Sequence, residues 1–145
     1  MRVQSMVADI FRAIAGVLSF AVSGFGAYSC GWADFRQDVL LTALFCILPL
    51  LSLPAFFLSL RWFRWGVALQ WILAASYLAV YSMLDWRTCA ELGYCRGAAW
   101  TVFETLKTRP VEACFAVAVF NLVALFLHGM RSPARRSATT SEVSL

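Results

Sequence analysis

The chain has 145 residues, of which 61% are hydrophobic and 14% charged, and its mean hydropathy is +0.74. A soluble domain carries about a quarter of its residues as charges, so this composition excludes a water-exposed fold and requires lipid to cover the apolar surface. The length allows one domain and no separate soluble one.

A net charge of +4 and a pI near 9.0 raise nucleic acid as a partner, but the placement of the charges argues against it. Arg2, Arg12, Arg61, Arg64, Arg131, Arg135 and Arg136 fall in the N-terminus, the second connection and the tail. Only Asp9 and Glu142 oppose them there, leaving +5. The first and third connections hold Arg36, Arg87, Arg96, Lys107 and Arg109 against Asp34, Asp38, Asp85, Glu91, Glu104 and Glu112, leaving −1. Basic charge that alternates with loop number follows the positive-inside rule. It predicts cytoplasmic termini, two external loops, and a basic face that meets anionic lipid rather than nucleic acid.

Four apolar segments, at 13–33, 39–60, 65–84 and 111–130, hold no Lys or Arg. Each is about the 20 residues that an α-helix needs to cross about 30 Å of hydrocarbon. The predicted fold is all-α: an up-down-up-down bundle of four transmembrane helices over 1–130, followed by a basic cytoplasmic tail at 131–145. Residues 1–12 read as an amphipathic lead-in, with Met6, Ile10 and Phe11 at the interface. Arg2 and Arg12 before an apolar run also suit a signal peptide. The run continues through Tyr28 without a small-x-small site, and Ala27-Tyr28-Ser29 before Cys30 matches a lipoprotein box poorly. A retained span is the reading. Its small residues Ala15, Ser19, Ser23 and Ala27, with Gly16, Gly24 and Gly26 beside them, predict a close packing seam.

The second span contains Pro49 and Pro54. Each removes a backbone hydrogen bond and bends the helix, and Ser52 is placed to satisfy a freed carbonyl. The third follows a belt, Arg61-Trp62-Phe63-Arg64-Trp65, and sets Gln70, Ala74, Tyr77 and Tyr81 on one face. Residues 85–110 form the longest external piece, with Trp86, Cys89, Cys95 and Arg96. Within it, 98–107 reads as a short interfacial helix with Ala99, Trp100, Phe103 and Leu106 on one face. Pro110 opens the fourth span in its first turn. That span carries Asn121 near mid-membrane, counted level with Ser76, and His128 near its inner end. The composition of 131–145 builds no core and predicts disorder.

Cys89 and Cys95, with five residues between them on an external loop, predict a disulfide in an oxidising compartment; Cys30, on the same side, is the alternative partner or stays a thiol. Cys46 and Cys114 read as small core residues. Quinone-linked disulfide-forming enzymes and vitamin K epoxide reductases share a four-helix architecture but use a C-x-x-C pair, and this chain has none. Small mercury carriers use paired cysteines within one span; here Cys46 and Cys114 are single and His128 has no ligand beside it in sequence. No metal site and no cofactor is expected. An ion path needs ionisable groups at depth, whereas Gln70, Ser76 and Asn121 are neutral and suit interhelical hydrogen bonding. No nucleophile–base pair or glycine-rich phosphate loop is present.

In architecture the chain resembles the four-span immunity proteins of pore-forming bacteriocins, which are small and helical, with short loops and no catalytic residues. The resemblance implies a non-enzymatic inner-membrane protein that binds a membrane-directed toxin. The alternatives are an accessory subunit of a larger inner-membrane complex and a membrane thiol–disulfide redox protein. Trp86, Arg96 and Trp100 are the expected external binding residues, since Trp and Arg are frequent interface anchors.

Overall fold

A computed structural model describes residues 2–32, 39–93 and 97–129. These form α1 (Arg2–Trp32), α2 (Val39–Leu50), α3 (Ser52–Arg61), α4 (Phe63–Glu91), α5 (Ala98–Leu106) and α6 (Arg109–Gly129), with no strand among the described residues. Four segments are long and apolar enough to cross a membrane: Ser5–Gly31, Val39–Arg61, Phe63–Glu91 and Arg109–His128. The protein is an all-helical, multi-pass membrane protein. The first connection lies outside the described residues, as does the tail at 131–145, for which the composition predicts disorder.

The lead-in predicted at 1–12 is not a separate element. Its described part runs into the first span within one helix of 31 residues, about 46 Å long at 1.5 Å per residue. No Gly or Pro interrupts this stretch before Gly16, so nothing ends the helix at the membrane boundary. The small-residue seam also shifts. Ala15 and Ser19 are fully buried and Gly26 is buried, but Gly24 and Ala27 are exposed. A four-residue step advances about 400° on a helix of 3.6 residues per turn. Ala27, three steps from Ala15, has therefore rotated by about a third of a turn off the face.

The second span breaks at Leu51, between α2 and α3. Pro54 is the third residue of α3, where a missing N–H does little harm to that helix. It does deprive the Leu50 carbonyl of its partner. That carbonyl accepts a hydrogen bond from the Ser23 hydroxyl of α1 at 3.3 Å, so the role expected of Ser52 belongs to a neighbouring helix. Gly26 permits the approach: a Cβ there would stand 3.0 Å from the Cys46 carbonyl oxygen and from the Leu50 nitrogen.

α3 and α4 meet at Trp62 and pack along each other. Gly66 sits against Ser59 so closely that a Cβ would fall 2.3 Å from the Ser59 Cα. α4 runs on to Glu91, beyond the boundary at 84 that its charges suggested. Asp85, Arg87 and Glu91 signal departure from hydrocarbon, but the residue that ends the helix is Gly93, at φ +76°, a left-handed position suited to glycine. Trp86 and Cys89 are therefore helical rather than on a loop.

Small side chains fill the interior and large ones face outward. Val22, Ala74, Tyr77, Val111, Cys114 and Val117 form a buried cluster to which α1, α4 and α6 contribute, with Phe25, Phe45 and Tyr81 packed on it. Phe20, Phe57, Trp65 and Phe126 are exposed. This inverted distribution suits helices that lipid surrounds, since close backbone packing, not burial of bulk, drives their association. One end of the helix assembly is tied by rings: Arg12 stacks 4.2 Å over Phe63, which meets His128 edge-on at 6.2 Å. His128, in the last turn of α6, thus packs on an aromatic ring that also carries a cation–π contact.

Candidate functional site

The polar stripe of α4 points inward. Gln70, Ala74 and Tyr77 are at most 3% exposed, and Tyr81 is half-buried. From α6, Asn121 is wholly buried and donates from Nδ2 to the Gln70 Oε1 at 2.5 Å. Asn121 thus stands level with Gln70 and not with Ser76, which is half-buried and about 9 Å farther along the axis. The offset arises because α4 and α6 are aligned where Phe63 meets His128, while the longer α4 runs past α6 at the other end, so counting residues from both belts misaligns them. The pair uses one of the hydrogen-bonding positions of two amides. Gln70 Nε2, Asn121 Oδ1 and the Tyr77 hydroxyl are buried and have no partner among the described residues. The ring of Tyr77 is fixed by stacking on Phe45 at 5.5 Å and by an edge contact with Tyr81 at 6.1 Å.

Pro49 and Pro54 flank the break in the second span. Pro49 is buried in the last turn of α2 and lines a cavity of about 370 Å³ between α1, α4 and α6. Tyr77 stands in the wall of that cavity, as does Arg109, the first residue of α6.

Cys46 and Cys114 are buried, as core residues should be. Cys89 is half-buried in the last turns of α4. Cys95 and Arg96 lie outside the described residues, and the expected Cys89–Cys95 disulfide lies outside them with Cys95. Cys30, read as an alternative partner or a thiol that stays free, is a free thiol. Its thiol is within hydrogen-bonding reach of Cys46 on α2, and both are unoxidised. Only the tertiary pairing of α1 with α2 brings the two sulfurs together.

At the Arg109 end, α5 packs on α4. Its buried residues are Thr101 and Thr105, whose hydroxyls donate to backbone carbonyls one turn back, Gly97 at 3.2 Å and Thr101 at 2.8 Å. Their polar groups are satisfied within the helix, leaving methyl groups for packing. Trp100, Val102, Phe103 and Leu106 point outward; the Trp100 and Phe103 rings lie 6.3 Å apart, and Lys107 stacks 4.2 Å over Phe103. Trp86 and Val102 border a second cavity of about 380 Å³. Among the described residues, no group of three His, Cys, Asp or Glu is placed to hold a metal ion. No family model, curated protein or solved structure matches the chain.

Proposed function

We propose that this protein is non-enzymatic and works by binding another membrane protein through the Arg109 end of its helices. The observation that carries this reading is the outward face of α5. Small Thr101 and Thr105 attach the helix, while Trp100, Phe103 and Leu106 are exposed on its outward side. Trp is enriched among interface anchors, and at membrane boundaries it also locates a helix at headgroup depth. The helices form an up-down-up-down bundle in the inner membrane with α5 on its outer surface and both termini cytoplasmic, as the charge asymmetry requires. A surface so placed suits an immunity-type protein that intercepts a membrane-directed toxin, or an accessory subunit clasped by a larger complex.

Cytoplasmic reporters fused after Arg64 or Met130 should be active, and fusions near Asp34 or Gly97 should report the exterior. An external C-terminus would overturn the orientation. For function, cells carrying Trp100→Ala with Phe103→Ala are challenged with pore-forming toxin at matched membrane abundance, and partner capture is measured in parallel. Loss of protection or of capture supports the reading; unchanged values for both refute it. The paired thiols of Cys30 and Cys46 favour a second reading, a membrane thiol–disulfide redox protein. Their joining into a disulfide passes two protons and two electrons to a substrate disulfide, which becomes a dithiol, and a Cys30→Ser variant that abolishes that disulfide reduction would select it.

A further inference from the structure

The Tyr77–Arg109 cavity goes beyond a protein-binding surface. Its walls are apolar: Val22 and Phe25 from α1, Pro49 from α2 and Ala113 from α6. At about 370 Å³ it falls toward the small end of the range of about 300–1,000 Å³ typical of ligand pockets. Two stronger polar groups interrupt the apolar lining. The Tyr77 hydroxyl is buried and without a partner among the described residues, and its residue is 1% exposed. Arg109 is exposed, at the start of α6, where the positive end of the helix dipole adds to its charge. Glu112 is on the same helical turn but does not line the cavity.

Both polar groups can donate hydrogen bonds, and Arg109 can only donate. A matching ligand must therefore present oxygen acceptors and negative charge at one end and hydrocarbon at the other. We propose that this cavity binds the acyl chain of an anionic amphiphile, with its acidic head on Arg109 and an oxygen acceptor on the Tyr77 hydroxyl. A fatty acid and an anionic phospholipid share that chemistry. The Tyr77 ring is clamped by Phe45 and Tyr81, so its hydroxyl is preorganised. The ligand supplies the hydrogen bond that burial otherwise denies to it.

The full chain is purified in a mild neutral detergent, delipidated, and titrated separately with oleate, with phosphatidylglycerol in mixed micelles, and with oleyl alcohol as a neutral chain. Oleate or phosphatidylglycerol should bind, which of the two identifying the source, and oleyl alcohol should bind at least tenfold more weakly. Arg109→Gln, at an exposed position that tolerates change, should weaken anionic binding by about tenfold to a hundredfold. Tyr77→Phe keeps the ring and should weaken it by about two- to tenfold. Ala113→Leu fills the cavity and should abolish binding, with thermal unfolding of the detergent-solubilised protein confirming that it folds. Equal affinity for oleate and oleyl alcohol, or anionic binding unchanged in Arg109→Gln, would overturn the proposal. So would no saturable binding of either anionic ligand.

Discussion

Replacing Asn121 and Gln70 by apolar side chains of similar size, singly and together, should give strongly non-additive stabilities. In the native protein Asn121 is wholly buried, Gln70 is 3% exposed, and one hydrogen bond joins them. Asn121→Leu leaves the whole Gln70 amide in a dry core. Stranding a buried polar group costs about 1–3 kcal/mol. Gln70→Met strands Asn121 in the same way. The double variant strands nothing and also removes two groups that have no partner in the native protein, Gln70 Nε2 and Asn121 Oδ1. Its stability should lie within about 1 kcal/mol of native, because replacing both partners by groups of similar shape is often close to neutral. The coupling energy should then be at least about 0.6–2 kcal/mol, the range of interhelical polar contacts in membranes. Reversible unfolding in mixed micelles of neutral detergent and dodecyl sulfate measures all four corners of the cycle. If the double variant loses the sum of the single losses to within about 0.5 kcal/mol, the sites are independent and the proposed link between α4 and α6 is wrong.

Three further outcomes follow from close contacts. Gly66→Ala should destabilise by at least about 1–3 kcal/mol, as overpacking does, because its Cβ would overlap the Ser59 backbone; Gly24→Ala meets nothing within 4 Å and should be neutral or better in the same unfolding assay. Ser23→Ala should cost about 0.5–1.5 kcal/mol by removing the donor to the Leu50 carbonyl, and much of that loss should vanish when Pro54→Ala restores a backbone N–H, whereas equal losses in both backgrounds would show that Ser23 does not cover the break. Mild oxidation of the Cys89→Ser, Cys95→Ser variant should join Cys30 to Cys46, seen as a linked peptide by mass spectrometry and absent in Cys30→Ser; persistence of both thiols would mean that the two side chains do not meet as in the fold.

What the sequence made legible was whatever is written in local composition. The four spans, the short helix after Gly97 and the inward stripe from Gln70 to Tyr81 are set by hydropathy and helical spacing. What stayed hidden depends on how helices align with one another. Residue counting puts Asn121 level with Ser76 because it supposes spans of equal length, whereas α4 is aligned with α6 only at the Phe63–His128 end and runs past it at the other. Cys30 and Cys46 have no sequence signature, since their meeting requires α1 to cross α2 at Gly26. The helix boundary that charge suggests at 84 differs for another reason: a charge marks where lipid ends, while Gly93 marks where hydrogen bonding ends, and the two lie about two turns apart.

The helix break and the cavity have a common origin. Pro54 removes the N–H that would bind the Leu50 carbonyl, and the span divides at Leu51. α1 must then come close enough for Ser23 to replace that donor, which places glycine at 26 and sets α1 against α2 around Cys46 and Pro49. With α1 held on α2, and α6 tied to α4 by Asn121 and Gln70, Val22 and Phe25 face Ala113 across a gap that small side chains do not fill. Packing of small residues in a membrane protein ordinarily closes such gaps. Here α1 and α6 also pack on each other, with the Phe11 and Phe120 rings 5.6 Å apart, and the gap is left toward the Arg109 end of that pairing. Tightening the Ser23–Leu50 contact should therefore leave the cavity in place, whereas Ala113→Leu should occupy it without disturbing either tie.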